Sequence, residues 1–269
     1  MIPKALTIAG SDSGGGAGIQ ADLKTFQELN VFGMSAITAL TAQNTRGVQG
    51  VFPASNECVR QQLDSIAEDL KPQAIKTGML YRSSIIQTVA EKIKTYGWSN
   101  VVVDPVMIAK GGASLLQKEA IETLKTNLIP LSTVITPNIP EAEVLTGMKI
   151  KSNADRKQAA EMLLVLGCRS VVIKGGHHED NLEAIDLFFD GNDFVWLRGQ
   201  RIQTRNTHGT GCTFSAAITA ELAKGENVLN AIRTAKSFIQ AAIEHELNIG
   251  SGHGPTNHWA FQTYRMGRP

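Results

Sequence analysis

The sequence predicts an α/β fold in which a mostly parallel central sheet is flanked by helices on both faces, a three-layer αβα arrangement. Short runs of β-branched apolar residues alternate along the chain with longer segments of helical spacing. Three of these runs end directly in a polar region, marked by Asp104, Asn138 and Lys174. Because alternating strands and helices favour parallel pairing, we expect these residues to meet at the carboxyl edge of one sheet.

The composition indicates a globular protein that acts on a small molecule. The chain has 269 residues, 42% of them hydrophobic, and contains no repeat or linker, so we expect one domain over residues 1–269. Lysine plus arginine (26) nearly balance aspartate plus glutamate (25), which predicts no surface for nucleic acid or membrane. The three cysteines form no CxxC pair, and neither a signal-peptide pattern nor an 18-residue apolar span occurs. We therefore expect a cytoplasmic protein.

The N-terminal segment predicts a strand at 5–9, a glycine-rich loop at 10–18 and a helix that begins near Ile19. This order brings the backbone close to a ligand in many α/β proteins. The pattern G-x-G-x-x-G is not completed, because Ile19 stands where the last glycine belongs, and no Walker lysine motif occurs. Neither a dinucleotide site nor a P-loop is predicted.

The middle of the chain continues the alternation of strands and helices. The predicted strands are 34–42, 50–52, 74–76, 101–103, 133–136 and 170–173, and the predicted helices run from 55 to 70, to about 96, from 118 to 128 and from 154 to 166. Asp104 follows a buried strand, where open sheets bind ligands and where aspartates also cap loops. Lys174 can reach a phosphate, although a solvated lysine in a turn is equally common. His177 and His178 lack a spaced third ligand, so no zinc site is predicted.

The C-terminal part begins with a hairpin, predicted from strands at 184–190 and 194–198. A last helix is predicted from Val228 to Ala242, with apolar residues at helical spacing. The tail at 252–258 is predicted to be a loop, and by itself it indicates no chemistry.

Residues 208–214, His-Gly-Thr-Gly-Cys-Thr-Phe, lie between a polar segment and a long apolar helical pattern. The amides at a helix start and the positive end of the helix dipole would hold an anion such as a phosphate. A glycine turn before a core helix is the simpler interpretation of this stretch alone. Cys212 in the first turn favours a functional site, because a helix N-terminus should lower the pKa of its thiol. Together with the strand ends, this predicts phosphoryl transfer, in which positioning and charge neutralisation do most of the chemistry.

Several motifs, taken in order, resemble the hydroxymethylpyrimidine and phosphomethylpyrimidine kinases of thiamine synthesis, which belong to the ribokinase-like superfamily. The motifs are 9–12 (AGSD), 15–22 (GGAGIQAD), 76–79 (KTGM), 103–106 (VDPV), 136–138 (TPN) and 208–214 (HGTGCTF). The resemblance implies a sheet of about eight to ten strands, ATP and Mg²⁺ as cosubstrates, and a homodimer. It also implies that the pyrimidine alcohol is phosphorylated first and its monophosphate second.

The resemblance further implies roles for individual residues. Catalysis falls to Cys212, Gly209, Thr210 and Gly211. Pyrimidine binding falls to Gln43, Gly10, Asp22, Met79 and Val106. ATP binding falls to Lys174, Asn138 and Thr207, and Mg²⁺ binding to Asp104 and Glu141, through waters. In the wider superfamily the position of Cys212 is an aspartate that acts as the base.

Two of these roles also follow from side-chain chemistry. The Gln43 amide offers the acceptor and the donor that match the edge of an aminopyrimidine, although a lone glutamine usually just ends a strand. Cys212 is placed to take the proton of the substrate hydroxyl group, although a small buried residue at this position could simply fill space.

Two alternatives remain open. Bacterial pyridoxal kinases of the same cysteine-bearing branch resemble this chain, but they tend to carry a second cysteine where this chain has Ala109, so aldehyde capture is not expected. A non-catalytic pyrimidine-binding module is the alternative of another class. Such a module should have lost its anion hole or its magnesium-side acids, whereas Gly209, Gly211, Asp104 and Glu141 are all present.

Overall fold

The predicted three-layer fold is confirmed by a computed structural model, which describes residues 2–108, 112, 115–176 and 183–265. Within these residues the strands are β1 Lys4–Asp12, β2 Phe32–Asn44, β3 Gly47–Pro53, β4 Ala74–Thr77, β5 Val101–Val103, β6 Val134–Ile135, β7 Val171–Ile173, β8 Glu183–Phe189 and β9 Phe194–Gln200. The α-helices are α1 Gly18–Glu28, α2 Asn56–Asp69, α3 Ser83–Thr95, α4 Lys118–Thr123, α5 Ile139–Thr146, α6 Asn153–Val165, α7 Thr210–Ala223, α8 Val228–Glu244 and α9 Ala260–Arg265.

The strands described form one nine-stranded sheet in the order β3-β2-β1-β4-β5-β6-β7-β8-β9. Six neighbouring strands pair in parallel, in the spatial order β2, β1, β4, β5, β6 and β7. At the two edges, β3 pairs antiparallel with β2, β8 with β7 and β9 with β8. The strand count lies within the range that the family resemblance implies. The predicted hairpin is present and is formed by β8 and β9 at one edge of the sheet.

A hydrophobic layer covers each face of the sheet, and successive strand residues pack alternately into one layer and the other. Val101 and Val103 of β5 pack with α2 to α6, whereas Val102 packs on the opposite face with α1, α7, α8 and α9. The same period of two holds for Val171 to Ile173 in β7. Because these central strands are buried on both faces, their sequences are uniformly apolar.

Two predicted helical segments differ from the structure. The helix expected over 118–128 is α-helical only to Thr123, and Leu124–Leu128 forms one π-helical turn before a 3-10 turn at Ile129–Leu131. Pro130 lies at the start of the 3-10 turn, where its missing backbone N–H costs no helical hydrogen bond. The expectation that the helix beginning at Val228 is the last one is wrong, because α9 follows the tail loop and packs on α8.

Candidate active site

The carboxyl ends of the parallel strands lie at one rim of the sheet, and the polar residues that follow them meet there as predicted. Asn138 and Lys174 form a bridge directly beyond β6 and β7, and Asp104 follows β5. The N-terminus of α7 lies over the same rim: a Cβ added to Gly211 would be 3.3 Å from Lys174 Nζ and 3.8 Å from Asp104 Oδ2. The sheet therefore brings together a lysine, a carboxylate and a helix N-terminus that are far apart in sequence.

The start of α7 is shaped by Gly209, which has a left-handed φ of 84° and serves as the N-cap. A Cβ at this position would lie 1.8 Å from the carbonyl oxygen of Gly16, so glycine is required both for conformation and for space. The first i to i−4 hydrogen bond of the helix runs from Thr213 N to Gly209 O at 2.8 Å. The amides of Gly211 and Cys212 precede that bond and are available to an anion at the rim.

The glycine-rich loop is organised by Asp12 at the end of β1. Its carboxylate accepts hydrogen bonds from the amides of Gly14 (2.8 Å), Gly16 (3.1 Å) and Ala17 (2.8 Å). Burial alone would raise the pKa of Asp12, but the contact with His208 and these amides bring it below its ordinary value. Asp12 thus keeps the loop, including the Gly16 carbonyl, pressed against the start of α7.

Asp104 and Lys174 form an ion pair at the centre of the rim, with Oδ1 and Nζ 3.0 Å apart. Thr136 and Ser215 also donate to the Asp104 carboxylate, each at 3.3 Å. Burial alone would raise the pKa of Asp104, yet the ammonium groups of Lys174 and Lys76 hold it below its ordinary value. The converse holds for Lys174, because burial alone would lower its pKa but Asp104 and Glu141 raise it. Both groups are therefore charged at neutral pH.

Glu141 lies beside this pair in the first turn of α5 and forms a reciprocal cap with Asn138. The Asn138 side chain accepts from the Glu141 amide, and the Glu141 carboxylate accepts from the Asn138 amide, both at 2.8 Å. Burial, assisted by the negative charge of Asp104 and opposed by Lys174, raises the pKa of Glu141 to about 7. The amide oxygen of Asn138 is thus committed to the cap, and its predicted contact with ATP stays a prediction.

The donor set of Asp104 and Glu141 fits Mg²⁺. Two carboxylates beside a helix N-terminus offer the hard oxygen ligands that Mg²⁺ prefers, and waters and phosphates would supply its other ligands. Among the described residues no cluster of three or more His, Cys, Asp and Glu side chains forms a metal site.

Cys212 lies in the first turn of α7 and is only partly exposed. Burial raises the pKa of its thiol to about 11, although the ammonium of Lys76 and the Gly18 amide favour the thiolate. The expectation that the helix N-terminus lowers this pKa is therefore wrong. The start of α1 packs against the start of α7 and reduces the contact of the sulfur with water, and this loss of solvation outweighs the favourable dipole.

The residues predicted to bind the pyrimidine separate into three groups. Gly10 lies against Met79, since an added Cβ would be 2.6 Å from the Met79 methyl carbon. Met79 belongs to a small apolar cluster, against which Val106 packs. Asp22 is fully buried, and its carboxylate is bound by Lys76 at 2.8 Å and by Thr7 at 2.6 Å. A direct substrate contact by Asp22 stays a prediction, and the geometry favours an indirect role.

Gln43 forms the third group, at the end of β2. Its side chain is partly exposed, and its Nε2 lies 3.1 Å from Nε2 of His208. The same ring nitrogen lies 2.8 Å from Oδ2 of Asp12. No role was predicted for the side chains of Asp12 and His208 from the sequence. An aspartate placed before a glycine-rich loop is a recognisable capping signal, but nothing in the sequence indicates the contacts with His208.

The C-terminal tail contacts residues 208–213, and these contacts were not predicted from the sequence. His208 donates its amide to Gly254 O at 3.0 Å and accepts from the Thr256 amide at 3.3 Å. His258 Nε2 lies 3.0 Å from the hydroxyl of Thr213, in the first turn of α7. The tail thus supports the start of α7. Ala109, His177 and His178 lie outside the described residues.

Comparisons with known proteins agree with this geometry and confirm the family resemblance. The family model described as phosphomethylpyrimidine kinase matches residues 12–257. A hydroxymethylpyrimidine/phosphomethylpyrimidine kinase of Bacillus subtilis is 61% identical over 261 residues, which are 97% of this chain and 96% of the relative.

Solved structures of related kinases have the same fold. A Bacillus subtilis pyridoxal kinase in complex with ADP matches with a TM-score of 0.91 and 47% identity, over 97% of this chain and 99% of that chain. A Staphylococcus aureus pyridoxal kinase in complex with AMP-PCP and pyridoxal matches with a TM-score of 0.90 and 39% identity, over 97% and 95% of the two chains.

Proposed function

The chain belongs to the phosphomethylpyrimidine kinase family and is a phosphotransferase of thiamine biosynthesis, and we propose that it phosphorylates 4-amino-5-hydroxymethyl-2-methylpyrimidine with ATP and then phosphorylates the monophosphate to the diphosphate. The proposal treats residues 1–269 as one ribokinase-like kinase domain. The observation that carries it is the position of the α7 N-terminus directly over the Asp104–Lys174 pair.

The transferring phosphoryl group is held at the start of α7, where the amides of Gly211 and Cys212 and the helix dipole stabilise its charge. Thr210 completes this turn, since its amide and hydroxyl both bond to Thr207 O. Lys174 contacts the ATP phosphates, with Asn138 and Thr207 on the nucleotide side. Since phosphoryl transfer proceeds through a loose transition state, these preorganised donors supply most of the catalysis.

Asp104 and Glu141 hold Mg²⁺, which when bound neutralises charge on the phosphates. The Lys174 ammonium is paired with the Asp104 carboxylate at 3.0 Å. Lys174 is therefore able to exchange its carboxylate partner for a phosphate when nucleotide and cation enter together.

The pyrimidine lies against the apolar cluster at Met79 and Val106, close to Gly10, and Gln43 reads its aminopyrimidine edge. Asp22 contributes indirectly, because its carboxylate holds the ammonium group of Lys76. The substrate hydroxymethyl group then points to the start of α7, where Cys212 is the candidate for accepting its proton.

Phosphorylation of pyridoxal is the second candidate activity, because the matched pyridoxal kinases have TM-scores of 0.91 and 0.90 with this chain. The oxygen and the N–H of the Gln43 side-chain amide suit an aminopyrimidine better than a hydroxypyridine, which lacks the amino donor. A non-catalytic module is disfavoured, because the start of α7 and the acids Asp104 and Glu141 lie together at one rim.

The assembly is proposed to be a homodimer that forms through the β2–β3 edge. Leu40 and Phe52 face each other across these strands and are 54% and 64% exposed. A second copy would cover this apolar pair and the adjacent sheet edge. Light scattering should report a dimer, and Phe52→Lys should convert it to a monomer. A wild-type monomer at micromolar concentration would contradict this proposal.

The cytoplasm is the proposed location, because Cys58, Cys168 and Cys212 are all unbridged. Among the described residues, no helix combines the length and apolar character needed to cross a membrane.

The function is tested by measuring ADP release from the purified protein with ATP, Mg²⁺ and either hydroxymethylpyrimidine, its monophosphate or pyridoxal. Mass spectrometry of the products should show the pyrimidine monophosphate and then the diphosphate, with kcat/KM for both pyrimidines above that for pyridoxal. A higher kcat/KM for pyridoxal would favour the second activity, and the absence of ADP release with all three substrates would favour the non-catalytic module.

A further inference from the structure

Among the residues that the structure describes, the Gln43 side chain has a polar neighbour at each end of its amide. The Thr41 hydroxyl lies 3.2 Å from one terminal atom, in the Oε1 position, and His208 Nε2 lies 3.1 Å from the other, in the Nε2 position. The oxygen and nitrogen of an amide have nearly the same shape, so their partners determine which atom occupies which position.

Thr41 decides the first position. A threonine hydroxyl has one proton, and the proton of Thr41 goes to the carbonyl oxygen of Ser11, which lies 2.9 Å away and can only accept. Towards Gln43 the hydroxyl can therefore only accept. The Gln43 atom that faces Thr41 must be the donor, which is the amide nitrogen.

His208 decides the second position independently. Its Nε2 lies 2.8 Å from Oδ2 of Asp12, a carboxylate that also accepts three backbone amides. An ionised carboxylate cannot donate, so Nε2 of His208 must carry a proton and donate it. A protonated Nε2 has no lone pair and cannot accept, so the Gln43 atom 3.1 Å from it cannot be the donor. This atom is the amide oxygen, which shares the N–H with Asp12 as a second acceptor.

Resting on the proposed function, we propose that His208 is a specificity-positioning residue, which fixes the Gln43 amide with its oxygen towards His208 and its nitrogen towards Thr41. After these contacts the amide retains one N–H and one oxygen lone pair. These are the two groups that the edge of an aminopyrimidine requires, and their order along the edge is now set.

The order of the Gln43 acceptor and donor agrees with the position that the substrate hydroxymethyl group must reach. In the substrate, the carbon that bears the amino group lies between a ring nitrogen and the carbon that bears the hydroxymethyl group. The amino group donates to the Gln43 oxygen on the His208 side, and the ring nitrogen accepts from the Gln43 nitrogen on the Thr41 side. His208 directly precedes Gly209, the N-cap of α7, so the hydroxymethyl group is directed to the anion hole. The opposite amide orientation would set two donors against each other.

The test compares hydroxymethylpyrimidine with its analogue in which hydrogen replaces the 4-amino group. The measured quantity is the ratio of kcat/KM for the two substrates, in variants whose folding is verified by circular dichroism. Gln43→Leu should reduce this ratio by about 10-fold or more, since the 4-amino group then loses its hydrogen-bond acceptor. His208→Ala should reduce it by a similar factor, and adding His208→Ala to Gln43→Leu should reduce it no further.

His208→Gln, which retains a donor near the Nε2 position, should preserve most of the ratio even if His208→Ala does not fold. His253→Ala is the matched control, because the side chain of His253 is exposed and its amide, which the substitution retains, donates to Thr45 O at 2.8 Å. If His208→Ala lowers kcat/KM for both substrates equally and keeps the ratio, His208 only supports the loop and the inference is wrong.

A second measurement separates this inference from the proposed function. Nitrogen-15 NMR of the ligand-free protein reports which ring nitrogen of His208 is protonated, with the signal assigned from its loss in His208→Gln. A protonated Nε2 is expected, and a bare Nε2 would overturn the inference whatever the substrate is. If instead Gln43→Leu leaves the ratio unchanged while Nε2 is protonated, the pyrimidine assignment fails and the orientation of the amide stands.

Discussion

The ammonium of Lys76 lies 2.8 Å from both carboxylate oxygens of Asp22, and neither side chain is accessible to solvent. Lys76 belongs to β4 and Asp22 to α1, so the pair fastens this helix to the sheet beneath the start of α7. Burial alone would lower the pKa of Lys76, but Asp22 raises it above its ordinary value. The pair thus places a compensated positive charge close to Cys212.

Breaking this pair should destabilise the protein strongly. Lys76→Met leaves the Asp22 carboxylate buried without its ammonium partner, which typically costs about 3–5 kcal/mol of unfolding free energy. Urea unfolding measures the loss, and Lys76→Met combined with Asp22→Leu should recover much of it. A loss below about 1 kcal/mol in Lys76→Met would show that Asp22 finds another partner or becomes protonated without penalty.

Gly209→Ala should reduce turnover by about 10²–10³-fold, the usual effect of disturbing a preorganised donor. The added Cβ would lie 1.8 Å from Gly16 O, so the start of α7 must move away from the glycine-rich loop. Gly97→Ala is a matched control, because Gly97 also has a left-handed φ (62°) but its Cβ would meet no atom within 4 Å. Steady-state kinetics of the two variants should differ although both carry the same backbone strain.

The architecture could be predicted because its signals are local. The run Val101 to Val103 is apolar on both faces, which indicates a central strand, and the polar residue after it marks the functional rim. The π-helical turn at Leu124–Leu128 and the short helix α9 have no such signal. Both depend on how the segments pack against their neighbours.

The site was predictable only where motif and strand end coincide. The contacts among Asp12, Gln43 and His208 join residues that are 165 and 196 positions apart, and no pattern along the chain encodes them. The pKa of Cys212 was mispredicted for a related reason. The helix N-terminus is a local feature that favours the thiolate, whereas burial against α1 is a tertiary one that disfavours it more.

The affinity for Mg²⁺ should rise with pH through about 7, where Glu141 titrates. The folded protein keeps this carboxyl protonated below that pH, and the proton competes with the cation. In ATP-dependent turnover, the Mg²⁺ concentration for half-saturation should fall from pH 6 to pH 8 in the wild type. Glu141→Gln should raise it overall and flatten its pH dependence.

Glu143→Gln provides the control for this prediction. Glu143 lies on the same helix, but its carboxylate is bound by Lys149 and by the Ile150 amide, which lower its pKa. The Glu143→Gln variant should therefore show the same pH dependence of the Mg²⁺ requirement as the wild type. The same dependence in Glu141→Gln would assign the titration to another group.

His258 should make the protein less stable in mild acid. Burial lowers its pKa to about 4, whereas the unfolded value is 6.5, so the unfolded state binds more protons between these values. Stability is therefore fully present above pH 6.5 and is lost as the pH falls towards 4, by on the order of 3 kcal/mol. Urea unfolding between pH 7 and pH 4 should show this loss, with a smaller slope in His258→Gln. The exposed side chain of His253 provides the control in His253→Ala, whose slope should match the wild type.

Cys212 should titrate far above neutrality in the ligand-free protein, because burial raises the pKa of its thiol to about 11. In a Cys58→Ser background, which removes the exposed thiol, alkylation of Cys212 by iodoacetamide should still accelerate with pH at pH 9.5. A plateau near pH 8 would instead show the lowered pKa that its place at a helix start suggests.

The catalytic role of this thiol is then tested by comparing Cys212→Ala with Cys212→Asp. If Cys212 accepts the substrate proton, kcat/KM of the wild type should rise between pH 7 and pH 9.5, because only the thiolate can act as the base. Cys212→Ala should lose turnover and this rise, whereas Cys212→Asp, whose carboxylate is ionised throughout, should recover part of the turnover with a flat profile. If Cys212→Ala keeps most of the turnover and the wild-type profile, the sulfur only fills space and the α7 amides alone carry the transfer.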